Sequence, residues 1–209
     1  MNNIYQSSHP LVQHKLSLLR DKNTDRRDFR TLAKEITMML VYESCRELPL
    51  QLYEIETPLE RMQAPRLAEP SPILVPILRA GLGMVDGFLE LLPTARIGHV
   101  GVYRDEDTKQ PHPYYSKFPP NSLNTLHVIC DPMLATGGTI NYVISLLKAR
   151  GVQQIQVVSL IAAPEGLKTI AAAHHDVKIF VAGIDRALDS NCYIVPGLGD
   201  AGDRLFGTQ

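Results

Sequence analysis

The chain has 209 residues, a length for one domain or one domain with a small appendage. Lys plus Arg number 21 against 22 Asp plus Glu, a formal net charge of −1, which argues against duplex nucleic-acid binding and its need for a basic face. Cys45, Cys130 and Cys192 form no CxxC pair, so neither a disulfide framework nor a zinc site is indicated, and a reducing cytoplasmic setting fits.

Residues 1–6 lack the basic run and apolar stretch of a signal peptide, and the apolar runs 36–42 and 157–163 are too short to cross a membrane. Leu11, Val12, Leu16 and Leu19 predict a helix over 9–20. Phe29, Leu32, Ile36, Met39 and Leu40 predict a longer one from about 25 to 48, whose Arg26, Arg27 and Arg30 read as a solvated face. Proline and charge over 56–72 read as a linker or excursion.

Strands and helices then alternate. Strands are expected at 73–78, 97–103, 126–130, 155–161 and 178–181. Helices are expected on Leu82, Val85, Phe88, Leu89 and Leu92, on Ile140, Val143, Ile144 and Leu147, and over 164–173. This alternation predicts an α/β fold, a parallel sheet flanked by helices on both faces. Two stretches break it. Residues 104–121 are polar, with Pro111, Pro113, Pro119 and Pro120, and a connection of that length is functional or disordered. The stretch from Tyr193 carries Gly197, Gly199, Gly202 and Gly207 and is not expected to be helical, each glycine costing about 1 kcal/mol in a helix.

Three glycine-rich sites stand out. In the first, a buried strand ends at Asp131, and Thr136-Gly137-Gly138-Thr139 opens an amphipathic helix. The unpaired amides and positive partial charge of a helix start, with glycines that let the backbone approach, make an anion cradle. Its place beyond a strand's carboxyl end is where open α/β sheets bind ligands. No lysine follows the glycines, so it is not a Walker A loop. In the second, strand 73–78 runs into Arg79-Ala80-Gly81-Leu82-Gly83, where a guanidinium can clamp phosphate. The third, Gly197-Leu198-Gly199-Asp200-Ala201-Gly202, fits GxGxxG but opens no βαβ unit, and reads as an exposed backbone loop that a planar ligand can approach.

The run 131–139 resembles the signature that binds phosphoribosyl diphosphate (PRPP) in phosphoribosyltransferases. With Leu78-Arg79-Ala80-Gly81, Tyr103-Arg104-Asp105, Ala163-Pro164-Glu165-Gly166, the run 196–202, His9-Pro10-Leu11-Val12 and Phe206-Gly207-Thr208, the chain is similar to the uracil phosphoribosyltransferases over nearly its whole length. The resemblance implies a single type I phosphoribosyltransferase domain: a helical arm over 1–55, an α/β core over 72–183 with a flexible catalytic loop at 104–121, and a hood over the base at 184–209. It implies conversion of uracil and PRPP to UMP and diphosphate in the cytoplasm. Arg79 and Arg104 match residues on the diphosphate. Asp131, Pro132, Met133, Leu134, Ala135, Thr136, Gly137, Gly138 and Thr139 match the ribose 5-phosphate site. Ile194, Gly199, Asp200 and Ala201 match the uracil site, with Asp200 also touching PRPP. Asp131, Asp200 and Arg104 are the candidate catalytic residues.

Many phosphoribosyltransferases carry a second acid where Pro132 stands here, so no protein ligand to a metal is expected, and magnesium would be held through the diphosphate and water. The resemblance also implies a homo-oligomer and, in some members, activation by GTP, with no residue to place that site. Because charge separates as the diphosphate leaves, the chemistry calls for electrostatic stabilisation of leaving group and sugar. No general base is assigned. His99, His112, His127, His174 and His175 lack ligand spacing and read as non-catalytic. A nucleotide-sensing regulator on the same fold would share the cradle but want a basic face, and another base could replace uracil.

Overall fold

The structure is a computed structural model that describes residues 3–104, 111–120 and 122–208, without the side chain of Arg104. A short strand, β1 (Ile4–Gln6), precedes helices α1 (Pro10–Arg20) and α2 (Arg26–Ser44). Pro10 suits the first turn of α1, where its missing N–H has no helical partner to lose. Asp25 starts α2 by accepting the Asp28 N–H at 2.8 Å. Phe29, Leu32, Ala33, Ile36, Leu40 and Val41 line its buried face at helical spacing.

An antiparallel hairpin of β2 (Leu50–Glu56) and β3 (Arg61–Leu67) follows, its turn and second strand occupying the stretch expected to be a linker. Thr57 Oγ1 closes its turn by accepting the Leu59 and Glu60 N–H groups at 3.2 and 3.0 Å. Pro65 is tolerated because the hairpin is a sheet of two strands and each has a free edge.

The core follows in chain order: β4 (Ile73–Leu78), a 3-10 turn (Ala80–Met84), α3 (Val85–Leu91), β5 (Arg96–Ile97), β6 (His99–Arg104), β7 (Pro111–Lys117), β8 (His127–Cys130), β9 (Met133–Leu134), α4 (Gly138–Ala149), β10 (Ile155–Ala162), α5 (Pro164–Ala173) and β11 (Lys178–Ile184). A small ribbon of β12 (Ala187–Leu188) and β13 (Ile194–Val195) and the helix α6 (Ala201–Phe206) complete it. The main sheet runs β1-β11-β10-β8-β4-β6-β7, parallel except for the last pair.

Side chains alternate across this sheet. Val128 and Cys130 of β8 join Val158 and Leu160 of β10 beneath α1, α2 and α3, while Ile129 and Val157 face α4 and α5 on the other side. The expected parallel sheet with helices on both faces is therefore present.

Three further elements depart from the sequence reading. β1 adds a parallel strand beside β11, too short to show periodicity. Residues 111–117, expected as irregular connection, form β7. Pro111 and Pro113 are accommodated because β7 is the sheet's last strand and the ladder shifts register at Gly101 and Val102. Residues 105–110 and 121, the rest of that connection, lie outside the described residues. The glycine-rich tail holds α6, against expectation. Asp200 caps it, left-handed Gly207 ends it, and Ala201, Gly202 and Leu205 are buried. Capping and burial outweigh glycine's cost in so short a helix.

Candidate functional site

The sheet order creates a crevice. From β4 the chain crosses by α3 to β6 on one side, and from β8, the neighbour of β4, it crosses by α4 to β10 on the other. α3 packs on one face and α4 on the opposite face. The connections diverge beyond the carboxyl ends of β4 and β8, the topological switch point of an open sheet. Arg79 follows β4 across a cis peptide, and Asp131 follows β8.

Asp131 is half-buried, and its Oδ1 accepts the Met133 N–H at 3.3 Å. Burial pushes its carboxyl up to about 7; the Met133 N–H opposes this and the charge on Asp200 adds to it. Pro132 is buried and its carbonyl accepts the Leu160 and Ile161 N–H groups, each at 3.1 Å, which fixes the segment against β10. At φ +83°, Gly137 caps α4. A Cβ there would lie 2.9 Å from the Gly166 carbonyl oxygen and 3.2 Å from Thr169 Cβ, so only glycine fits both the backbone conformation and the close packing on α5.

The first helical bond of α4 runs from the Asn141 N–H to the Gly137 carbonyl at 2.8 Å. The amides before it belong to the unpaired first turn; Gly138 N–H makes only a long contact, 3.5 Å, with Thr136 Oγ1. Arg79, Asp131, Asp200 and every residue from 133 to 140 line one cleft of about 290 Å³. Arg79 is largely exposed, with Nη2 3.7 Å from Asp203 Oδ1. The backbone of Arg104 ends β6, and its side chain is outside the described residues. Such a cleft can hold a polyanion: helix-start amides at one end, a guanidinium at the other, and two carboxylates between.

The hood places Ile194 on β13, buried, and Gly199 at an exposed turn. Asp200 Oδ1 accepts the Asp203 N–H at 2.9 Å, which leaves its second oxygen for a ligand. Ala201 is buried at the start of α6. Of the four base-site candidates, Asp200 is the one that also lines the cleft with Arg79 and Asp131.

Three residues beneath this loop were not read from the sequence. Arg20, at the end of α1, pairs with buried Asp185 through both guanidinium nitrogens, and Nη1 donates to the Gly197 carbonyl at 2.7 Å. The Gly197 N–H donates to Asp185 at 2.8 Å. Arg204 Nη1 donates to the Leu19 and Leu198 carbonyls at 2.8 and 2.9 Å, and Nη2 to Asp21 O at 2.6 Å. Its guanidinium lies 4.3 Å from the Phe29 ring centroid. The available signal was Asp185, a carboxylate straight after a buried strand, as Asp131 is. The two arginines act on backbone carbonyls, which no sequence pattern displays.

The histidines have local partners. His127 is buried with Nδ1 2.9 Å from the Thr125 carbonyl oxygen, and burial lowers its pKa, as it does for His174. Among the described residues no three His, Cys, Asp or Glu side chains cluster as a metal site, and no helix is long and apolar enough to cross a membrane.

The family model described as uracil phosphoribosyltransferase matches residues 6–208. A uracil phosphoribosyltransferase of Ligilactobacillus salivarius is 54% identical over 96% of both chains. The solved structure of a protein from Aquifex aeolicus superposes with a TM-score of 0.94 at 40% identity, covering 99% of each chain. An adenine phosphoribosyltransferase of Leishmania donovani shares the fold, with a TM-score of 0.60 at 18% identity over 94% of this chain and 87% of that one.

Proposed function

Because the chain belongs to the uracil phosphoribosyltransferase family, and is thus a pentosyltransferase that makes UMP and diphosphate from uracil and PRPP, we propose that the crevice between β4 and β8 is where the transfer occurs. The observation that carries this assignment is the α4 start: left-handed Gly137, unpaired amides and two threonines, directly beyond an acid that ends a buried strand. The 5-phosphate of PRPP belongs against residues 136–139, with 133–135 along the sugar and Pro132 holding the segment from behind.

Asp131 then faces the ribose hydroxyls and stabilises positive charge as the C1–diphosphate bond breaks. Arg79 and Arg104 take the diphosphate by paired hydrogen bonds. Among the described residues Arg79 pairs with Asp203, at a long 3.7 Å and largely exposed, so a phosphate is the better partner. Asp200, between cleft and hood, contacts both ribose and base. Uracil lies against Ile194, Gly199 and Ala201, whose backbone groups match two carbonyls flanking an N–H. Magnesium, if brought in with the diphosphate, would supply charge neutralisation for the leaving group beside Arg79 and Arg104.

We extend the reading to a homo-oligomer. An isolated two-stranded hairpin is marginal in water, yet β2–β3 leaves Leu50, Leu52 and Leu59 at 61, 68 and 96% exposure; a second copy would cover them. The division into arm, core and hood, activation by GTP and a cytoplasmic location belong to the same reading, and no residue is assigned to GTP. Diphosphate release from PRPP plus uracil, measured with and without magnesium and GTP and against cytosine, hypoxanthine and adenine, tests it. Preferred use of uracil is expected; a preferred purine would overturn the base assignment.

A further inference from the structure

We infer that Arg20 and Arg204 are positioning residues that set the hydrogen-bond polarity of the base loop, an inference that rests on uracil binding at residues 194 and 199–201. Two consecutive carbonyls of the loop are engaged from beneath: Gly197 O by Arg20 at 2.7 Å, Leu198 O by Arg204 at 2.9 Å. The peptides that follow them are trans. In a trans peptide the C=O and the next N–H point in opposite directions. With both carbonyls turned toward the arm, the Leu198 and Gly199 amides turn away from it. Gly199 is exposed, so its N–H is presented on the open side, beside Asp200.

A loop of this kind would otherwise be free to invert. Gly197 and Gly199 have φ of +68 and +80°, and a peptide flips by rotating ψ of the residue before it and φ of the residue after it, the second of which glycine at 199 leaves free. Inversion at Leu198–Gly199 would put an acceptor where a donor stood. A donor there suits a ring carbonyl, as in uracil. An acceptor there suits an exocyclic amino group, as in cytosine. The arginines thus select between the bases without touching either.

Their own placement is over-determined. Asp185 orients Arg20 and also accepts the Gly197 N–H, so one carboxylate fixes both ends of that residue. Arg204 is held by the Leu19 and Asp21 carbonyls of the arm and by the face of Phe29. Lysine at either position keeps the charge but cannot bridge several carbonyls with a planar fork.

The test compares Arg204→Met, Arg204→Lys and Arg20→Lys with the wild type. The readouts are steady-state KM for uracil and for PRPP, PRPP affinity by calorimetry, and the uracil-to-cytosine ratio of kcat/KM. The expected result is a uracil KM raised about tenfold or more, PRPP affinity within about twofold of wild type, and a reduced base ratio, with Lys milder than Met at 204. A uracil KM unchanged in soluble variants, or uracil and PRPP affinity lost in parallel, overturns the inference. If the 204 variants do not fold, Arg20→Lys gives the same reading through Gly197. A wild type that does not turn over uracil instead sinks the parent reading, so the two failures are told apart.

Discussion

Asp131 carries the sharpest consequence of burial at the residue scale. Its folded-state pKa, about 7, lies well above the roughly 3.9 of a free aspartate. The group's contribution to stability is therefore full below pH ~4 and lost as pH rises through about 7. Asp131→Asn should melt higher than wild type at pH 8 and show less advantage at pH 5, by calorimetry without ligand, while losing turnover. A positive sugar and a magnesium-laden substrate favour the ionised carboxylate. PRPP affinity should accordingly improve as pH rises through 7 in the wild type and stay flat in the variant. Asp200 behaves differently, because it caps α6 and asparagine caps as well as aspartate does. Asp200→Asn should keep the melting temperature within about 2 °C, a shift of some tenths of a kcal/mol, while turnover falls at least about tenfold. Equal loss of stability and activity would contradict the assignment.

At the scale of elements, the start of α4 shows a pattern legible from sequence alone. A strand, an acid and a Thr-Gly-Gly-Thr turn give the geometry of the proposed site because each part is local, and local parts are what periodicity and turn chemistry record. Gly137→Val should abolish PRPP binding by calorimetry, since its side chain would meet Gly166 and Thr169 and the left-handed φ excludes it. The hairpin and β7 were illegible because neither buries a periodic apolar face within one chain, so prolines dominated the reading, while α6 buries so short a face, Ala201 and Leu205, that its glycines masked it. The hairpin's exposed leucines give a test of assembly. Leu52→Glu with Leu59→Glu should shift the protein toward monomer in sedimentation at micromolar concentration, through charge placed in an apolar contact. An unshifted assembly would remove the hairpin from the interface.

At the scale of the whole molecule, the sheet order locates the crevice without reference to any side chain. The sequence named five strands of the core but not their order, because alternation shows that a sheet is parallel, not which strands are neighbours. The pairing of β4 with β8, from which the crossovers diverge, is what brings Arg79 and Asp131, 52 positions apart in sequence, to one cleft. Since ligand and folded state are linked, PRPP at 100 times its Kd should stabilise the protein by about 2.7 kcal/mol, visible as a raised melting temperature that magnesium removal reverses.

The arm and the tail also hold each other. Arg204 satisfies the carbonyls of Leu19 and Asp21, 185 and 183 positions away in sequence. Loosening of the turn between the first two helices would therefore be felt at Leu198, whose carbonyl the same guanidinium holds.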